Sequence, residues 1–467
     1  MRWHWLKSGA KSAMSFRKMK FLLLSSLVML LLHSACSTRL SPPQATQEFP
    51  GSPPPSIQDI TPVEPGVDST ESIVPSPLEG TATPAQVPSL VSIWHSWDEE
   101  ETQVLIQIVQ LFQRQYPSVS VDMLYLPKDE LIKRFTAASY NGEGPALVLG
   151  PAEWGVALFR QGLAADLSPY VNEALQDSIS APALQACSFQ QRYFAIPYAQ
   201  AGTLLYRNRS IIPAGAASLD EWFDLSAQAT RGGRVGSYMD IGAYFSLAHF
   251  YAMGGRLLDE AGEPLFDQDD YRLALEWINL LARFEDAGVI EVNGSHHIEF
   301  FKQGRAGFIA EGSWRLTEYS QAIGVDNLAI DPWLQGTSGS ISGFVLPEVL
   351  YANTAVKETS PRDFEAALKF IGFMLTPQVQ AWLADAGFIP VRLDYEGDEL
   401  MQQAVAALNS GVAYPPALES QLKMVYFDVF NAALLDIFQN GQEPFPALQA
   451  AHQNIQQRLT ELRETQP

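Results

Sequence analysis

Cysteine is almost missing from this chain: 467 residues contain only Cys36 and Cys187. A disulfide scaffold is therefore excluded, and if Cys36 is used in another way no intramolecular bridge can form. Basic residues are scarce too, with 30 Lys and Arg against 52 Asp and Glu and a formal charge of −22. Such acidity argues against nucleic acid as a partner and against a basic membrane-binding face. No Gly-rich phosphate loop of the Walker kind occurs, so the chain does not read as an ATPase. No internal repeat is visible, which sets aside solenoids and propellers. A lone thiol such as Cys187 is expected to be a small buried residue rather than a nucleophile.

What is present begins with an export signal. Arg17, Lys18 and Lys20 precede an apolar run from Phe21 to Leu32, the length of a signal-peptide core rather than a membrane span. Ser34 and Ala35 then lead into Cys36, an order that resembles a bacterial lipoprotein signal in which the cysteine is lipidated and becomes the mature N-terminus. His33 stands where an aliphatic residue is usual, and ordinary secretion with cleavage elsewhere is the alternative. Residues 1–35 are the expected signal peptide, with Met14 as an alternative start. Removing its six basic residues takes the formal charge from −22 to −28. Residues 36–88 are crowded with Pro, Ser, Thr, Glu and Gly (Pro53-Pro54-Pro55, Pro75-Ser76-Pro77) and have no hydrophobic period. Such a segment buries too little apolar surface to offset its ordering entropy, so it reads as a solvated tether.

The remaining body, from Leu90 onward, is too large for one core and natural for two lobes. Its opening alternates strands and helices. Leu90–Trp94 reads as a strand, Glu100–Gln115 as a helix with Val104, Ile108, Leu111 and Phe112 at helical spacing, and Val119–Leu124 as a second strand. Ser96 or Asp98 can cap that helix, and Pro117 ends it. A helix over Leu131–Ser139 and a strand over Ala146–Leu149 follow. Alternation of this kind predicts a parallel sheet, whose ligands lie beyond the carboxyl ends of the strands.

Those ends carry aromatic and polar residues together: His95, Trp97 and Asp98 after the first strand, Glu153 and Trp154 after the third, Tyr198 after Phe194–Pro197. Ring faces can cover the C–H face of a sugar while carboxylates and amides bond its hydroxyls. Core packing is the competing reading for any one of these aromatics.

Several stretches in order resemble the extracellular solute-binding proteins of the carbohydrate-uptake class, the maltose-binding-protein-like receptor subunits of ATP-driven (ABC) importers. They are Ile93-Trp94-His95-Ser96-Trp97, Gly144–Pro151, Gly162–Leu167, Phe194–Tyr198 with Leu205–Asn208, Phe301–Gly307, Gly312-Ser313-Trp314, and Ala366–Ile371 leading to Gly387–Val391. Ala146 departs from the pattern, which usually has Asp there. The resemblance implies an α/β fold of the two-lobed, type II periplasmic-binding-protein kind, each lobe a mostly parallel sheet flanked by helices, with the ligand cleft between lobes. It places lobe 1 at 89–200 and about 345–467, including the C-terminal helices Leu418–Phe438 and Phe445–Leu462, and lobe 2 at 201–344. Hinges fall near Ala199–Thr203 and Ser338–Phe344, with Gly202, Gly336, Gly339 and Gly343 absorbing the motion. Resemblance and position together nominate His95, Trp97, Glu99, Glu153, Trp154 and Tyr198 from the first lobe and Tyr244, Glu311, Trp314 and Trp333 from the second. Phe344 near the hinge and Arg392 on the returning segment complete the set.

The implied function is capture rather than catalysis: a monomeric receptor, without cofactor or metal, closes on a sugar or oligosaccharide and presents it to permease subunits. It would sit on the extracytoplasmic face of a bacterial membrane, anchored through Cys36. A secreted glycoside-acting enzyme, a surface sensor, and the same fold holding a peptide or polyamine remain open. His296-His297 are adjacent and face apart, so they read as a surface loop rather than a metal site.

Overall fold

The computed structural model describes residues 88–259, 262–291, 296–337, 339–416 and 420–465. The signal peptide, Cys36 and all but the last residue of the tether lie outside them, as does Ser338 of the second expected hinge.

The first strand, β1 (Ser89–His95), alternates buried and more exposed positions, so Val91 and Ile93 point into the core. Asp98 caps the helix Glu99–Gln115: its carboxylate accepts from the Glu101 amide at 2.9 Å, and the Glu101 side chain accepts from the Asp98 amide at 2.8 Å. This reciprocal pair satisfies two amides that the first turn leaves without partners, and it selects Asp98 over Ser96. Leu105, Ile108, Val109 and Phe112 form the buried stripe of that helix.

Further strands are β2 (Val119–Tyr125), β3 (Leu147–Pro151), β4 (Ile196–Asn208), β5 (Val235–Asp240), β6 (Gly288–Glu291), β7 (Ala306–Gly312), β8 (Leu328–Asp331) and β9 (Phe344–Ala352). Among the described residues they form one sheet in the order β2-β1-β3-β9-β4-β7-β5-β6, with β8 and two short strands paired beside it. Both flanks are parallel, β1 with β2 and β3, and β5 with β6 and β7. The middle is antiparallel, because β9 pairs in that sense with β3 and β4, and β4 pairs so with β7. The mostly parallel sheet read from the sequence therefore holds for the flanks and not for the crossing strands.

β4 is the member common to both halves. Up to Gly202 it pairs with β9, and from Thr203 onward with β7. Gly202 is required there for close approach: a Cβ would stand 2.2 Å from the Phe344 carbonyl oxygen. Gly343 is crowded in the same way by Thr203 and the Trp333 ring. These two glycines let the crossing strands touch, a different task from the backbone freedom expected of them.

The chain returns to the first half through the helix Pro361–Met374, where Phe370 and Phe373 meet Phe112 edge-on at 5.1 and 5.3 Å. The last two helices do not follow it. Ser420–Phe438 and Pro444–Thr465 pack on second-half helices, with Phe430 against Phe266 at 4.9 Å and against Trp277 at 5.9 Å. The Ala243 amide donates to Asn431 at 2.7 Å. Their apolar faces thus complete the second-lobe core rather than the first, which corrects the expected assignment. Cys187 is buried, its thiol donating to the Ala183 carbonyl.

His249 lies in that second core, its Nδ1 accepting from the Ser342 amide at 3.0 Å. Burial pushes its pKa down to about 4. A histidine whose folded pKa lies below its unfolded value stabilises the fold above the unfolded pKa and loses that contribution as pH falls through the folded one. The fold should therefore lose about 3 kcal/mol between pH 6.5 and pH 4 from this residue alone. NMR titration should find the His249 ring uncharged at pH 5.5; a ring that charges near pH 6.5 contradicts it.

Candidate ligand cleft

A cavity of about 210 Å³ opens where the two halves face each other. Its walls follow the carboxyl ends of strands from both halves. Lys128 opens the helix after β2, Glu153 sits on the short turn after β3, Tyr244 opens the helix Ala243–Ala252 after β5, and Trp314 sits on the turn after β7. This is where an α/β sheet presents side chains that are not consumed by strand pairing. Leu346, Pro347 and Glu348 of the crossing strand β9 form another wall, and Tyr414 and Pro416 close a further side.

Local structure explains how the key groups are held. Trp314 lies with its indole over Gly312, where a Cβ would stand 2.1 Å from ring atoms, so only glycine lets the ring lie against the backbone. The ring is 56% exposed, a large apolar face left open. Trp154 packs in the same way over Gly150, but its ring folds against the first-half core and does not line the cavity. Beside Glu348 the register between β4 and β9 shifts: Glu348 pairs with Ala199 and Val349 with Pro197, so Tyr198 of β4 is the extra residue. The bulged strand is therefore β4, and Glu348 keeps an unbroken register with β3 on its other side.

The cavity is acidic. Enclosure by protein pushes the Glu348 carboxyl up to about 7, with Lys128 pulling it down and Glu101 and Glu153 pushing it higher. The Tyr244 and Tyr414 phenols are raised, first by burial and next by Glu153, so both stay neutral. Aromatic faces, phenols and carboxyls thus converge from both halves, a set that can stack on a ring and bond its hydroxyls.

Of the residues nominated from sequence, Glu153, Tyr244 and Trp314 meet in this cavity and the others lie elsewhere. Trp97 is buried and donates to the Tyr198 hydroxyl at 3.0 Å while packing on Phe388 at 4.8 Å; both it and Tyr198 belong to the first-half core. His95 is buried beside Tyr125, and burial lowers its pKa. Glu99 is exposed in the first turn of its helix, where it suits the dipole. Glu311 is buried, with one oxygen 2.7 Å from His297 Nε2 and the other accepting from the Gly312 amide at 2.8 Å. Each oxygen is engaged, Glu311 is not among the cavity's lining residues, and His297 is a core residue rather than part of a surface loop. Trp333 is buried against Gly343, and Phe344 is buried between Tyr251 and Tyr414. Arg392 pairs with Asp394 and donates to the Leu375 carbonyl, away from the cleft.

Lys128, Glu348 and Tyr414 were missed. None of the three carries a local mark; tertiary structure brings each to the cavity.

Two facing α/β halves, joined by shared strands and lined on their facing ends, define a two-lobed binding protein. Residues 107–409 match the family model described as bacterial extracellular solute-binding protein, and the chain belongs to that family. It is 24% identical over 326 residues to the maltotriose-binding protein of Pyrococcus abyssi (strain GE5 / Orsay), a match spanning 64% of this chain and 66% of that relative, just under two thirds of its length. Among solved structures, an extracellular solute-binding protein from Staphylococcus aureus in complex with maltose superposes with a TM-score of 0.70 at 17% identity, over 80% of this chain and 99% of that one. A cyclo/maltodextrin-binding protein complexed with maltotetraose gives 0.68 at 17% identity, over 80% and 97%. The sugar-binding protein MalE of Xanthomonas citri gives 0.66 at 19%, over 81% and 99%. The family is extracytoplasmic and works by binding rather than catalysis. Among the described residues no helix is long and apolar enough to cross a membrane.

Proposed function

We propose that the protein captures a sugar or oligosaccharide between its lobes and delivers it to the permease of an ABC importer. The carrying observation is the composition of the cleft: Trp314 and Tyr244 from one lobe and Glu153 from the other converge on one cavity with Glu348 of β9. Trp314 and Tyr244 stack on sugar rings, and Glu153 with the Tyr244 and Tyr414 phenols bonds hydroxyls. A ligand touching both lobes makes contacts that an open form cannot, and so favours the closed form. The maltotriose-binding relative and the sugar-bound structural neighbours support this choice of ligand class. The receptor acts as a monomer, and Cys36 carries the lipid that ties it to the outer face of the cytoplasmic membrane; Cys36→Ser should then leave the membrane fraction.

A thermal-shift panel on the full chain tests the ligand class. A bound sugar at 100 times its Kd adds about 2.7 kcal/mol to stability. Maltotriose or another oligosaccharide should raise the melting temperature, and a panel in which only a peptide or polyamine does so overturns the carbohydrate reading.

A further inference from the structure

The indole of Trp314 is 56% exposed, so side-chain packing does little to hold it and its direction is set by the turn it springs from. That turn is tied down at three points. The Gly312 amide donates to Glu311 Oε1 at 2.8 Å, and the Gly312 carbonyl accepts from the Tyr206 hydroxyl of β4 at 3.0 Å. Ser313 Oγ accepts from the Gly202 amide at 3.2 Å, on the strand common to both halves. Of these groups the Glu311 carboxyl needs holding most, because it is buried near the end of β7 and a buried carboxylate keeps its place only while its oxygens are bonded. Its Oε2 meets Nε2 of His297, which is buried on the helix His296–Lys302 with its ring beside that of Tyr238 at 5.3 Å. Nδ1 of His297 has no partner among the described residues, which assigns the ring's proton to Nε2, where Glu311 accepts it.

We infer that His297 is a positioning residue for sugar binding: it fixes Glu311, Glu311 fixes the Gly312 amide, and the Gly312 backbone aims the Trp314 ring that lies against it. This rests on the carbohydrate reading for its ligand, and it names a residue outside the cavity on which the stacking face depends. A ring aimed before the ligand arrives need not be ordered on binding, so the cost of ordering it falls on folding instead. Two apolar residues of similar volume would hold a core here as well as a buried His–Glu pair does. What they could not supply is an acceptor for the Gly312 amide.

Fluorine NMR of the full chain labelled with fluorotryptophan tests this, together with calorimetric titration of maltotriose. The Trp314 resonance, identified by its loss in Trp314→Phe, should lie away from that of a solvent-exposed fluorotryptophan in the wild type. In His297→Phe it should move toward that position while the other resonances stay in place. His297→Gln, which keeps a donor near the position of Nε2, should retain the wild-type spectrum. His297→Phe should bind maltotriose about two- to tenfold more weakly, the cost of ordering one side chain on binding, and should cost nothing further in a Trp314→Ala background. Combining His297→Phe with Glu311→Leu removes the buried charge, so the melting temperature should recover much of what His297→Phe loses. The Trp314 resonance and the affinity of this double variant should remain those of His297→Phe, and it carries the measurement if the single variant does not fold. A Trp314 resonance unmoved in the folded variants, or an affinity loss of the same size with and without Trp314, overturns the positioning role and leaves the carbohydrate reading standing. Absence of maltotriose binding by the wild type counts against that reading, and the fluorine spectra of the free protein then decide the role of His297 by themselves.

Discussion

Trp314→Ala should weaken sugar binding about 30- to 150-fold and leave the empty protein nearly as stable as before. The first number follows from removing a central aromatic contact, which costs about 2–3 kcal/mol in a binding site. The second follows from where the ring lies. At 56% exposure it contributes little to the core, and its packing over Gly312 is a small contact beside those of the buried Trp222 and Trp277. Stability should therefore change by less than about 1 kcal/mol. A ring serving as a core residue would show the opposite, with a fall in melting temperature and affinity preserved among the molecules that remain folded. Calorimetry with and without sugar separates the two, and equal loss of both refutes the stacking role.

Asp331→Ala should destabilise the fold by about 3–5 kcal/mol, the usual consequence of leaving one member of a buried pair uncompensated. Arg207 on β4 and Asp331 on β8 form a two-pronged pair, Nε to Oδ2 at 2.7 Å and Nη2 to Oδ1 at 3.0 Å. Both side chains are 9% exposed. Arg207 also donates to the carbonyls of Ile212 and Pro213 at 2.9 Å, so the guanidinium pins the chain after β4 as well as β8. Removing Asp331 strands a charge that water reaches poorly, while replacing both partners by apolar residues of similar volume should recover much of the loss. Urea unfolding of the single and double variants measures the difference. A loss under about 1 kcal/mol for Asp331→Ala would mean that solvent already screens the pair.

The sequence could show where strands end, but not which side of the ending a residue takes. Glu311 and Trp314 were nominated together for the second lobe, yet only Trp314 lies beyond the last residue of β7. Glu311 is still within β7, where its carboxyl meets His297 from a separate helix. Trp97 and Tyr198 illustrate a second difficulty. Aromatics at strand ends look alike whether they face a ligand or a partner, and the partner that buries these two is Phe388, far along the chain. Glu348 was hidden because β9 takes its partners β3 and β4 from distant parts of the chain, and no local period shows which neighbours flank it.

Chain topology was readable on a similar scale. The βαβ alternation of the first hundred residues of the body gave the parallel flank, since helix capping at Asp98 and the apolar spacing that follows are local signals. The antiparallel middle depends on β4 meeting β9, an encounter across more than a hundred residues that no local period encodes. The final helices were recognisable as helices for the same local reason. Their lobe was not, because Phe430 would suit any apolar groove and only the tertiary structure supplies Phe266 and Trp277.

A crystal structure of the full chain with the oligosaccharide that stabilises it most is the most direct test of capture between the lobes. It should show a sugar ring lying on Trp314, hydroxyls within hydrogen-bond distance of Glu153, and contacts from both lobes to one ligand. A sugar bound outside this cavity, or held by one lobe alone with the Trp314 face bare, would contradict it.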